Sequence, residues 1–246
     1  MDSQFITVII FSVLGGFVPT FIWMAFWLQE DNNHPEPLKR ILKAFFGGML
    51  MVPIALFLQL TLHKTFEIPY NILDLLRTSF LGGSLAVFIF AGIEEALKFL
   101  AAYFIGIRSE DSDEAVDVMV YMIAAALGFA ALENTLHLFT PLLAGETTAA
   151  FFTGNMRFIG ATLIHVSSSA VVGFALALAF FQKKSSRIEH IIFGLFIATL
   201  LHTIFNLFII NRQALHTIGA LILVWIGTLI LFFLFEKIKH VHLNKI

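Results

Sequence analysis

Two adjacent glutamates and a lysine, Glu94, Glu95 and Lys98, stand inside an apolar stretch running from about Ser79 to Ile107. Three later apolar stretches add Glu133 and Asn134, then Arg157 and His165, then His202 and Asn206. Carboxylates and imidazoles are the side chains that move protons and hold divalent metals near neutral pH. Helical residues advance by about 100°, so Glu94 and Lys98 lie about 40° apart, with Glu95 about 60° away on the other side. Lys98 can reach either carboxylate. One cation cannot neutralise two, and the remaining carboxylate is free to act as a general base. His202 and Asn206 are four apart and share a face, as do Glu133 and His137. Taken singly, a buried histidine is an ordinary packing residue, and Ser167, Ser168 and Ser169 read as contacts between helices. Two histidines, an asparagine and a glutamate pair on separate apolar stretches are a less ordinary set.

The surroundings make that set expensive. Of 246 residues, 59% are hydrophobic and 13% charged, and mean hydropathy is +0.89. A soluble domain carries about 25% charged residues. Each charge at a membrane helix centre costs roughly 2.5–3.5 kcal/mol. Five such groups, unpaired and central, would cost on the order of 12–18 kcal/mol, against about 5–15 kcal/mol for the stability of a whole domain. These groups must therefore pair, face water or titrate to their neutral forms, and none can face lipid.

The elements that position them are apolar runs of membrane-spanning length, about 20 residues each. They cover Phe5 to Leu28, Ala44 to Leu62, Ser79 to Ile107, Val116 to Phe139, Phe152 to Phe181, His190 to Ile210 and Ile218 to Phe235. The expected fold is all-α, a polytopic transmembrane bundle of about seven helices, forming one domain over residues 1–246. Short polar connections separate the runs, including Glu30 to Pro37, Arg108 to Glu114 and Lys183 to Arg187. The small residues Ala124, Ala125, Ala126, Gly128, Ala130 and Ala131 suit a close helix contact. Trp23, Trp27 and Trp225 read as packing or interface anchors. The chain has no cysteine, which excludes disulfides and thiolate chemistry, and its net charge of −2 gives no sign of nucleic-acid binding. Ten lysines and arginines fall at one end of the bundle, and Lys64, Arg77 and Arg212 at the other. The excess marks the cytoplasmic side, which places the N-terminus outside and the C-terminus in the cytoplasm of a multi-pass cell-membrane protein.

The polar blocks together resemble the PrsW family of intramembrane proteases, related to the CAAX-processing and bacteriocin-immunity membrane proteases. Glu94-Glu95-Ala96-Leu97-Lys98 is similar to the family's paired-glutamate block, and Gly128-Phe129-Ala130-Ala131-Leu132-Glu133-Asn134 to its second block. Arg157 with His165 and Gly173 resembles the third block, and His202-Thr203-Ile204-Phe205-Asn206 the fourth. The resemblance spans about residues 80–210. Many members carry three acidic residues in the first block, whereas Ile93 stands at the preceding position here.

The resemblance implies a membrane-embedded endopeptidase acting on a single-pass membrane protein, such as an anti-sigma factor. In that reading Glu94 or Glu95 deprotonates the attacking water. His202 and Asn206 stabilise the oxyanion, and His165 holds the water or returns the proton. Lys98 orients a carboxylate, while Glu133, Asn134 and Arg157 support the site. An alternative chemistry places a divalent metal such as zinc on His165, His202 and Glu95, a common ligand set. Two other classes use the same residue types: a proton-coupled transporter, and a non-catalytic scaffold that binds membrane helices.

Overall fold

The computed structural model describes residues 3–31, 35–66, 68, 80–210 and 214–239. Among them the chain forms seven helices: α1 (Ser3–Trp27), α2 (Leu38–Thr65), α3 (Phe80–Ala102), α4 (Ala115–Leu143), α5 (Thr147–Leu178), α6 (Lys184–Ile210) and α7 (Ala214–Lys239). Six are long and apolar enough to cross a membrane. The seventh, α3, carries the three charges Glu94, Glu95 and Lys98. It packs against α2, α4, α5 and α6, so its charges have protein neighbours instead of lipid. The bundle expected from the sequence is the bundle observed.

The centre of the bundle is α4, whose spanning window is 94% buried. Its small side chains are what admit its neighbours. A methyl group added at Gly128 would collide with the backbone of Phe45 on α2, and one at Gly48 with the backbone of Ala125. The two backbones touch because neither side presents a side chain at the crossing. Gly16 on α1 meets Thr135 and the Ala131 carbonyl in the same manner. Outward-facing Phe57, Ile192, Phe193, Leu229 and Phe233 are exposed, as suits a surface whose solvent is hydrocarbon.

Two π-helical stretches interrupt the regular winding, Tyr103–Ile107 after α3 and Arg157–Ala161 inside α5. Such turns concentrate at functional sites, and the second one carries Arg157. The end of the bundle away from the α3 carboxylates is tied by polar contacts. The hydroxyl of buried Tyr121 donates to buried Glu36, and Arg40 pairs with Asp111. The start of α4 is closed by a capping box, with Glu114 N–H donating to Asp117 Oδ2 at 2.6 Å. Trp27 is buried, and Trp23 donates to the Phe158 carbonyl at 3.2 Å and packs on Trp225, so all three tryptophans serve packing.

One connection differs from expectation. Lys183 to Arg187 reads as a loop, yet α6 already begins at Lys184. Lysine, serine and arginine are compatible with helix, and no glycine or proline stops it there. Polarity marks the end of the hydrocarbon, not the end of the helix.

Candidate active site

Midway along α3 the backbone places Glu94 and Glu95 on different faces. Glu95 points toward α5 and α6 and is fully buried. Its Oε1 accepts from Lys98 Nζ at 2.7 Å, Ser168 Oγ at 2.9 Å and His202 Nδ1 at 2.9 Å. Its Oε2 accepts from Ser169 Oγ at 2.8 Å. Both oxygens are thus committed. Ser168 and Ser169 are more than packing residues: they are the α5 donors that satisfy this carboxylate.

Glu94 is the contrary case. Its Oε1 accepts from Gln59 Nε2 of α2 at 3.1 Å. Its Oε2 is buried and has no hydrogen-bond partner among the described residues. The nearest side-chain nitrogens lie just beyond hydrogen-bond reach, Lys98 Nζ at 3.9 Å and His202 Nε2 at 3.8 Å.

The histidine partners set their tautomers. A carboxylate oxygen can only accept, so His202 donates Nδ1–H to Glu95 and keeps a lone pair on Nε2, facing Glu94. Lys98 Nζ donates to His165 Nδ1 at 2.7 Å. The other nitrogen, Nε2, therefore carries the ring's proton and stands 2.6 Å from Glu133 Oε2, a close contact outside hydrogen-bond geometry. The two imidazole rings stand perpendicular with centroids 4.9 Å apart. Phe129 lies under both partners, 4.7 Å from the Lys98 ammonium and 5.6 Å from the His165 ring. A cation on an aromatic face is held electrostatically and kept from water.

Behind His165 runs a second shell. Arg157 reaches Glu133 Oε1 at 3.1 Å, and its Nε donates to Asn134 Oδ1 at 2.5 Å. Asn134 in turn donates to Thr162 Oγ1 at 3.0 Å. His137 sits 3.4 Å from Glu133 with its side chain 54% exposed, and so marks where this chain of groups meets the surface.

One donor atom each from Glu94, His165 and His202 lies within 4.8 Å of the others. A family described as PrsW family intramembrane metalloprotease matches residues 36–235. The chain belongs to the PrsW family. It is an intramembrane protease, a hydrolase whose substrates are membrane proteins in a bilayer. It is similar to Protease PrsW of Bacillus subtilis (strain 168), 27% identical over 192 residues, covering 77% of this chain and 78% of the relative. It resembles Protease PrsW of Clostridioides difficile (strain 630) at 27% over 195 residues, 78% and 76% of the two chains. It resembles Protease PrsW of Geobacillus kaustophilus (strain HTA426) at 29% over 179 residues, 71% and 69%. No solved structure matches.

Within the PrsW-family blocks, Glu94, Glu95, Lys98, Glu133, Asn134, Arg157, His165 and His202 join one connected polar centre. Asn206, one turn beyond His202 and partly exposed, makes no side-chain hydrogen bond among the described residues. The metal set expected from sequence contained Glu95. The three donor atoms that lie within 4.8 Å of one another include Glu94, while the oxygens of Glu95 accept hydrogen bonds. Gln59 and Thr162 escaped sequence reasoning. Gln59 is a single amide in the uncharged run Ala44 to Leu62, and an isolated polar residue in such a run is itself a signal of a buried partner.

The donor set fits a divalent metal on two observations. Glu94 Oε2 is an orphaned buried acceptor, and His202 presents a free Nε2 lone pair with its other nitrogen anchored on a carboxylate, the usual outer-shell arrangement of a metal-binding histidine. His165 would have to release either Lys98 or Glu133. Lys98 is the easier to release, since Glu95 remains as its partner.

Proposed function

We propose that peptide hydrolysis takes place at Glu94, His165 and His202, within a single domain of residues 1–246. The observation that carries this reading is the unpartnered Oε2 of Glu94, turned toward two imidazoles in a water-poor bundle. Glu94 receives the proton of the attacking water. Gln59 holds its other oxygen, which leaves one direction open for that water. Glu95 and Lys98 are positioning residues: Glu95 orients His202, and Lys98 orients His165. Glu94 then passes the water's proton to the leaving amine as the C–N bond breaks, while His165, braced by Glu133, Arg157 and Asn134, helps hold the water. The Nδ1 proton of His202 is spent on Glu95, so the oxyanion donor is the uncommitted amide of Asn206.

A second reading has its own support in the ligand geometry and in the family's description. Glu94, His165 and His202 would hold a divalent metal such as zinc, which supplies a Lewis acid and a more acidic bound water.

The substrate we infer is a single-pass membrane protein of the anti-sigma-factor kind. The protein is placed in the cell membrane with its N-terminus outside and its C-terminus in the cytoplasm. Support comes from the depth of the site. His202 lies eight residues, and Glu133 ten, from the helix ends at Ile210 and Leu143, about 12–15 Å at 1.5 Å per residue. Those ends belong to the lysine- and arginine-poor side, so the site opens toward the extracytoplasmic leaflet.

Cleavage of a reconstituted single-pass substrate tests this. Glu94→Gln, His165→Ala and His202→Ala abolish cleavage while preserving folding. Full cleavage by all three would sink the site. Activity lost to a chelator and restored by zinc selects the metal, whereas chelator-resistant cleavage selects Glu94 acting without one. Ion flux through proteoliposomes without cleavage would point to transport instead.

A further inference from the structure

A second recess lies far from the carboxylates, on the outer face of the α2–α3 pair. It is an open apolar groove of about 380 Å³ lined by Leu42, Phe46, Gly47, Leu50 and Ile105, with Lys39 and Lys43 at one end. Gly47 lets Ile105 come in close, so the groove floor is the contact between α2 and the π-helical turn after α3. Phe46 and Leu50 are exposed at 45% and 61%, so the walls face lipid.

The charges at its mouth are unmatched. Three basic residues open α2, Lys39, Arg40 and Lys43. Arg40 pairs with Asp111 and donates to the Ile105 carbonyl at 3.4 Å, so its charge is matched. Lys39 and Lys43 are exposed and make no ion pair among the described residues. They are the two that line the groove. The first turn of α2 has no acidic residue, and Pro37 offers it no side-chain cap. Cations at a helix N-terminus oppose the helix dipole, and the acidic groups already at this end, Glu36 and Asp111, bond to Tyr121 and Arg40.

The length fits a lipid. From Lys43, at the edge of the uncharged run, to Leu50 is seven residues on one helix, about 10 Å at 1.5 Å per residue. Half of the ~30 Å hydrocarbon core is about 15 Å. A molecule whose anionic group sits at the lysines therefore lays about two thirds of one leaflet's acyl length along the groove.

We propose that this groove binds an anionic phospholipid, with its phosphate held by Lys39 and Lys43 and one acyl chain laid along Leu42, Phe46, Leu50 and Ile105. The lipid bridges α2, which carries Gln59, and the π-helical turn at the end of α3, the helix that carries Glu94. It thereby steadies the helix pair whose far half meets at the polar centre.

The test is lipid retention by the purified full-length protein in detergent micelles. Phosphatidylglycerol or phosphatidylcholine is titrated in, and bound lipid is read by native mass spectrometry. The wild type retains one phosphatidylglycerol in clear preference to phosphatidylcholine. Each basic group near a membrane surface is worth about fivefold, so Lys39→Gln with Lys43→Gln lowers phosphatidylglycerol affinity about 30-fold. It leaves phosphatidylcholine unchanged. Lys183→Gln with Lys184→Gln, at the same end of the bundle but outside the groove, changes neither. Leu50→Trp, at an exposed position that does not threaten the fold, weakens phosphatidylglycerol retention by blocking the tail. Equal retention of the two lipids by wild type, equal loss in the Lys183 and Lys184 variant, or unchanged retention in Leu50→Trp would each overturn the proposal.

Discussion

Glu94 and Glu95 are neighbours on α3, yet Glu94 stands between Gln59 of α2 and the two histidines, while Glu95 is bonded into α5 and α6. On the α5–α6 side every acceptor is used: Glu95 takes hydrogen bonds from a lysine, two serines and a histidine. On the α2 side Glu94 takes one, from Gln59, and keeps an oxygen open. A fully bonded buried carboxylate is structure, since its lone pairs are spent holding helices in register. A half-bonded one is a reserve of reactivity, because the cost of its burial is repaid by what it next binds. The proposed chemistry lies on the unsatisfied face, and the satisfied face keeps the histidines aimed at it.

That contrast can be broken in graded steps. Glu94→Gln removes the base but keeps the size and the Gln59 contact. The expected result is a 10²–10⁴-fold loss of cleavage, about the worth of general-base catalysis, with an unchanged unfolding midpoint. Glu95→Gln is the converse. It strands Lys98 in a buried site, and breaking such a pair costs about 3–5 kcal/mol. It shows first as a fall in thermal stability in detergent, with activity lost as a consequence. If Glu95→Gln kept full stability, the division between the two residues would fail.

Smaller changes sharpen it. Ser169→Ala removes one donor to a charged acceptor and should cost about 1.5–3 kcal/mol of stability, measured in the same unfolding assay. Gln59→Leu frees Glu94 Oε1. Partners of this kind contribute about 10–100-fold to metal affinity or activity, so turnover is expected to fall by at least the lower figure. Stability should change little, because the position is partly open. A loss in stability larger than the loss in turnover would make Gln59 a packing residue instead.

The blocks around residues 94, 133, 165 and 202 were legible because a charge in a long apolar run has few explanations. Their convergence followed from cost, since five embedded charges have to meet. Ser168, Ser169 and Gln59 were not legible as donors. Hydroxyls and amides are common at helix contacts, and no spacing rule says which helix will stand opposite. The start of α6 was misread for a related reason, because polarity reports where lipid ends and the backbone can stay helical beyond it.

By itself the sequence determined that this protein is a helical membrane bundle with a polar centre and that its blocks resemble PrsW. Apolar length and the penalty on unpaired backbone groups in lipid leave no other spanning form for such runs than helices. Only the tertiary structure decided which of two adjacent glutamates is free. Residues one position apart on a helix point about 100° apart, and what each meets there depends on the neighbouring helix, which the local sequence does not name.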